Sequence, residues 1–162
     1  MSKAFTKEDS APEDVLVAPR PPLPPGVPNY VTPRGLELLR AERQALEAAR
    51  ATLLRAGDAS ARLAALAARL GELEQRLASA QCLEPTPGGA ALVRFGSQVT
   101  VLDAAGREQR YQIVGVDEAD PGSGKIAFLA PLAKALLGAE VGARVRLHKP
   151  GGSEELELLA VE

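Results

Sequence analysis

The chain has one cysteine and one histidine, Cys82 and His148. A catalytic thiolate needs a basic neighbour to lower its pKa. Here the only histidine lies 66 residues away in a segment of different character. Cys82 therefore reads as a small apolar residue and His148 as a polar residue at a strand end. Two further motifs invite a chemical reading. Asp117-Glu118-Ala119-Asp120 has the form of a helicase-type acidic motif, and Gly122-Ser123-Gly124-Lys125 that of half a phosphate-binding loop. A true phosphate loop carries an earlier Gly, and a Ser or Thr after the Lys to reach Mg²⁺. Ala119 and Ile126 occupy those places, and the acidic run precedes the Gly-Lys. Neither motif makes an ATP site. Arg55, Arg62, Arg69 and Arg76 recur every seven residues. Such arginines can meet nucleic-acid phosphates or simply solubilise a helical seam and pair with acids such as Glu72.

The element that carries these arginines is a helical hairpin from Thr32 to Gln81. Its second arm repeats Leu63, Leu66, Leu70, Leu73, Leu77 and Ala80 at alternating spacings of three and four, the seam of a heptad. The first arm places Leu36, Leu39, Leu46 and Leu53 on its seam, but Arg43 and Arg50 interrupt it. Thr32-Pro33 starts this arm, with Thr as cap and Pro at the first helical position. Between the arms lies Ala56-Gly57-Asp58-Ala59-Ser60. Gly57 suits the left-handed residue that ends a helix, and Asp58 or Ser60 can cap the next. Arms joined so briefly pack antiparallel and end in a narrow tip, a shape suited to reaching into a partner.

Composition bounds the rest. At 162 residues the chain allows one or two small domains, and a net charge of −2 gives no global field for holding DNA or an anionic membrane. Aromatic residues make up 3% with no Trp, too few for a base-stacking platform. No run reaches the length of a spanning helix, and Met1-Ser2-Lys3 leads into charges, not a signal peptide. A soluble, cytoplasmic, monomeric protein without cofactor or metal is expected, with no membrane partner.

Residues 1–29 are expected to form a disordered tail. Glu8, Asp9, Glu13 and Asp14 precede Pro19-Arg20-Pro21-Pro22-Leu23-Pro24-Pro25-Gly26-Val27-Pro28, a run that favours polyproline II. The hairpin is assigned to 30–83 and a Pro/Gly linker to 84–90. Residues 91–162 then hold short β-type runs at Ser97–Leu102, Gln109–Val116, Lys125–Leu129, Ala143–His148 and Glu154–Val161. One helix, from Pro131 to Leu137, interrupts them and is closed by Gly138. The expected class is α+β, with a mostly antiparallel C-terminal domain.

Several blocks resemble the bacterial GreA/GreB transcript-cleavage factors, in the family's order. They are Asn29-Tyr30-Val31-Thr32-Pro33-Arg34-Gly35, Val93-Arg94-Phe95-Gly96-Ser97-Gln98-Val99-Thr100-Val101 and Tyr111-Gln112-Ile113-Val114-Gly115-Val116-Asp117-Glu118-Ala119-Asp120. Pro131-Leu132-Ala133-Lys134-Ala135-Leu136-Leu137-Gly138 and Pro150-Gly151-Gly152 complete the set. The resemblance runs from Asn29 to the C-terminus. It implies a coiled coil that enters the secondary channel of RNA polymerase and an FKBP-like domain, 91–162, that docks on the channel rim. It also implies docking residues at Asp117, Glu118, Asp120, Leu129, Ala130, Pro131, Leu132 and Lys134. Basic hairpin residues, here Arg55, Arg62 and Arg69, would approach nascent RNA.

The family's tip carries Gly-Asp-x-x-Glu-Asn-Ala-Glu-Tyr, whose Asp and first Glu hold a second Mg²⁺ in the polymerase's active centre. This chain keeps Gly57 and Asp58, follows them with Ser60, and then has Ala61 for the Glu, Arg62 for the Asn and Ala65 for the Tyr. Each arm is also shorter than the family's by roughly eight residues, about 12 Å of reach. Before Pro131 stand Leu129-Ala130, where the family has Asp or Asn and then Ser. Asp58 is thus a vestigial metal candidate and a helix-capping residue first. The implied function is a polymerase-binding elongation regulator, not itself an enzyme, that does not stimulate transcript cleavage. The alternatives are an active cleavage factor with a remodelled tip, a prolyl isomerase by fold analogy, and a coiled-coil scaffold.

Overall fold

The computed structural model describes residues 20–58, 60–86 and 91–162. The tail through residue 19, Ala59, and 87–90 of the expected linker lie outside the described residues. The chain runs β1 (Asn29–Val31), α1 (Pro33–Arg55), α2 (Ala61–Ser79), β2 (Ala80–Cys82), β3 (Gln98–Leu102) and β4 (Glu108–Val114). It continues through a 3-10 turn (Pro121–Ser123), β5 (Lys125–Ala127), α3 (Pro131–Leu136), β6 (Arg144–Lys149) and β7 (Gly152–Val161). The α+β class holds.

Local chemistry explains the hairpin. The Thr32 hydroxyl accepts the Gly35 N–H at 2.9 Å, and Pro33 follows where no donor is required. At the far end Gly57 adopts φ +70°. Its N–H donates to the Leu54 carbonyl and that of Asp58 to the Leu53 carbonyl, the paired bonds of a Schellman motif. The two arms close over Leu39, Leu46, Leu70 and Leu73, with Leu36, Leu66 and Leu77 half-buried beside them. Leu73 is 1% exposed, so Leu73→Ala would cost about 2–5 kcal/mol. The interruptions are accommodated at the surface: Arg50 is exposed, and Arg43 lies half-buried with its Nε 3.7 Å from Glu47.

α2 stops at Ser79. Ala80–Cys82, expected to finish the arm, instead pairs in parallel with Asn29–Val31. Each strand has three residues, too few for a period to declare itself.

β3 to β7 form one sheet in the order β5-β4-β3-β7-β6. Its ladders are antiparallel except β4–β5, and β7 bulges opposite Thr100/Val101. Alternation along β3 and β7 sends Val99, Val101, Leu156 and Leu158 inward, where α3 covers them with Ala133 and Leu136.

The expected tail boundary needs correction. Residues 20–28 lie along the body. Val27 packs against the sheet's core, and Tyr30 stacks with Phe95 and Phe128 at centroid distances of 5.8 and 5.6 Å. The Arg20 side chain is 18% exposed and ion-paired with both Glu42 and Asp117. A Pro-rich run needs no internal hydrogen-bond ladder, so it can follow a surface and anchor through its few apolar and charged side chains.

Candidate functional site

The structure presents two outward-facing regions, the hairpin tip and the β5–α3 loop, and one buried joint between them. At the tip, Ser60 is the cap of α2: its hydroxyl accepts the Arg62 N–H at 3.2 Å. Asp58 sits two residues earlier and accepts the Ser60 N–H at 2.8 Å. The Ser60 hydroxyl and amide hold the Asp58 carboxyl below its ordinary 3.8, and Arg62 adds to the effect. Asp58 is therefore an ionised carboxylate engaged by the protein's own donors.

That arrangement does not fit a shared Mg²⁺. The cation wants several hard oxygens in near-octahedral geometry. Asp58 is the only carboxylate in the turn, Ala61 offers none, and Arg62 brings positive charge to the same turn. Arg55, at the end of α1, is exposed and reaches Thr52 Oγ1 at 3.5 Å. Arg69 behaves differently: it is half-buried and faces Glu42 on the other arm at 3.5 Å.

In the β5–α3 loop, Leu129, Ala130 and Leu132 are half-buried and pack against the sheet core. Pro131 and Lys134 on α3, and Leu137 just after it, stay exposed at a spacing of three. Val141, 53% exposed, continues the apolar surface just beyond it. Asp120 is exposed as well, but its carboxylate accepts from Ser123 Oγ at 2.8 Å within its own turn.

Asp117 and Glu118, expected on the docking surface, face the hairpin instead. The Asp117 side chain is 11% exposed, with Oδ2 at 3.2 Å from Arg76 Nε and Oδ1 at 3.3 Å from Arg20 Nη1. The Glu118 side chain is 2% exposed; it accepts from Thr32 Oγ1 and from Lys125 Nζ, the latter at 3.0 Å. Burial of a carboxylate is tolerable only with such charged or hydroxyl donors around it. Arg76 is no solubilising flank either. It is 7% exposed and donates from Nη2 to the Pro21 carbonyl at 2.5 Å.

This joint accounts for the block Asn29 to Gly35. Asn29 Nδ2 donates to the Arg76 carbonyl at 2.8 Å and so satisfies an end-of-helix acceptor of α2. Tyr30 enters the aromatic cluster, Val31 joins the hairpin core, and Thr32 caps α1 while donating to Glu118. At Gly35 an added Cβ would lie 2.8 Å from Glu118 Oε2. A glycine in the first turn of a helix was the available signal that something approaches closely there. Arg20, Glu42, Arg76 and Lys125 carried no such mark. The aromatic residues Tyr30, Phe95 and Phe128 pack on one another.

A sheet with one covering helix is joined through a buried acid pair to a helical hairpin. Residues 89–162 match the family described as Transcription elongation factor, GreA/GreB, C-term. It is 42% identical over 95 residues to transcription elongation factor GreA of Caulobacter vibrioides (strain NA1000 / CB15N), covering 58% of this chain and 60% of that protein. Against GreA of Sinorhizobium medicae (strain WSM419) it is 39% identical over the same shares. The chain thus spans about 60% of the length of the curated relatives it matches. Among solved structures, GreA factor homolog 1 of Thermus thermophilus matches at 27% identity, over 82% of this chain and 97% of that one, with a TM-score of 0.39. Among the described residues, no helix is long and apolar enough to cross a membrane.

Proposed function

We propose that this chain is an RNA polymerase accessory protein that docks at the rim of the secondary channel through its C-terminal domain. It regulates elongation without stimulating transcript cleavage. The observation that carries this reading is the tip: one carboxylate, Asp58, already hydrogen-bonded to Ser60, beside Arg62 and with no second oxygen ligand at Ala61. Two-metal hydrolysis needs the incoming ion held by several oxygens close to the first metal. The protein would act as a monomer in the cytoplasm, with no catalytic centre of its own. Arg55 and Arg62, both exposed at the tip, would be the basic residues that approach nascent RNA.

Docking would use Pro131 and Lys134 on the outer side of α3, with Leu137 and Val141 just beyond it. The test is the affinity of the full chain for core RNA polymerase. Lys134→Glu reverses an exposed charge and should weaken binding about tenfold, largely through the association rate. Asp58→Ala should leave affinity unchanged. A loss confined to Asp58→Ala, with Lys134→Glu indistinguishable from the parent, sinks the docking assignment.

A further inference from the structure

We propose that the segment Arg20–Pro28 is a brace that fixes the tilt of the helical hairpin on the C-terminal domain, with Arg20 as its pin. Asp117 and Glu118 follow β4 and hold one arm each: Asp117 pairs with Arg76 of α2, and Glu118 accepts from Thr32, the cap of α1. With Tyr30 in the aromatic cluster, these contacts fix the base of the hairpin and make it a pivot about which the arms can rock.

Arg20 supplies an attachment away from that pivot. Its Nη1 lies 3.3 Å from Asp117 Oδ1 and its Nη2 2.6 Å from Glu42 Oε2. Glu42 stands ten residues beyond Thr32, which places it about 15 Å up α1. Its other oxygen lies 3.5 Å from Arg69 on the opposite arm. The resulting chain Arg69–Glu42–Arg20–Asp117–Arg76 alternates in sign and spans both arms, the N-terminal segment and the C-terminal domain. A guanidinium can serve two carboxylates at once through separate nitrogens.

The segment itself suits the task. Pro21, Pro22, Pro24 and Pro25 fix their φ angles, so little further chain entropy is lost on docking. One end is tied by the Pro21 carbonyl to Arg76, the other by Val27 to the sheet core. The cleft between the segment and α2, about 380 Å³, is lined by Arg20, Leu23, Glu72, Gln75, Arg76 and Ser79. Its arginines face acids, which argues for a brace and against an anion site.

The test uses the full chain and needs no partner. Spin labels replace Arg50 and Glu108, both exposed, in a Cys82→Ser background, and dipolar EPR measures the distance between the hairpin and the sheet. The parent should give one narrow distribution. Arg20→Ala should give one roughly twice as wide, because the rocking states are no longer separated in energy. It should also lower the thermal midpoint by about 3–8 °C. Arg107→Ala removes an ion pair confined to the C-terminal domain and should leave the width unchanged. Should Arg20→Ala fail to fold, Glu42→Gln, half-buried on α1, carries the same expectation. An Arg20→Ala or Glu42→Gln distribution as narrow as the parent's overturns the proposal, as does equal broadening in Arg107→Ala.

Discussion

Replacing Gly115 by alanine should destabilise the protein, although most glycine-to-alanine changes away from left-handed positions do the reverse. Gly115 follows β4 at the joint, and a Cβ there would lie 2.5 Å from the Tyr30 carbonyl oxygen and 3.5 Å from Val31 Cα. Both obstacles are backbone atoms of β1, which is held on its other side by β2. Neither can rotate away as a side chain would. Overpacking of this kind costs about 1–3 kcal/mol. The reduced entropy of the unfolded chain returns about 0.4–1 kcal/mol. The net loss of about 1–2 kcal/mol converts, at roughly 2–4 °C per kcal/mol for a chain of this size, to a fall of about 2–8 °C in Tm. Gly71 is the matched control. It lies within α2 with nothing within 4 Å of its would-be Cβ, so Gly71→Ala gains helix propensity of up to about 1 kcal/mol and should raise Tm by about 2–4 °C. Thermal unfolding of both variants followed by circular dichroism reads the two signs side by side. A Gly115→Ala midpoint at or above the parent's, with Gly71→Ala stabilised as expected, would refute the close approach of β1 to this turn.

Removing residues 1–28 should lower Tm by about 4–10 °C, since it takes away Val27 and both ion pairs of Arg20; a shift within error in differential scanning calorimetry would deny that packing. Asp103 gives a pH prediction. The Arg107 amide first, then the Arg107 side chain and the Ala105 amide, hold its carboxyl below its ordinary 3.8. A depressed folded-state pKa stabilises the protein above that ordinary value, and the contribution fades as pH falls through the folded-state pKa. Asp103→Asn should therefore lower the urea midpoint at neutral pH and flatten its decline below about pH 4; parallel pH profiles for parent and variant would contradict this.

The parts legible in the sequence are those that repeat or punctuate. The leucines from Leu63 to Leu77 announce the second arm, Thr32-Pro33 and Gly57 its companion's ends, and the alternating runs of 97–161 the five strands of the sheet. Ser60, and not Asp58, proves to be the cap of α2, a choice that depends on which side chain reaches the first turn. The joint was illegible because nothing periodic marks it. Arg76 falls on the same seven-residue series as Arg69, yet one is buried against Asp117 and the other half-buried against Glu42. Asp117 and Glu118 lie in a polar turn that resembles a solvated loop until the hairpin is folded onto it. The Pro-rich run reads as part of a disordered tail, but a backbone preset by proline is held in place by Arg20 and Val27.

The reading of the tip is tested most directly by transcript cleavage in backtracked complexes of RNA polymerase with Mg²⁺ present. Unmodified protein should bind the polymerase yet leave the cleavage rate at that of the polymerase alone, and Asp58→Ala should change nothing further. Ala61→Glu should also remain inactive, because arms some eight residues shorter than the family's, as the resemblance implies, would hold the turn roughly 12 Å back. Acceleration of cleavage by the unmodified protein, abolished by Asp58→Ala, would contradict this account and make Asp58 a metal ligand whose missing partner is supplied by the polymerase or the RNA.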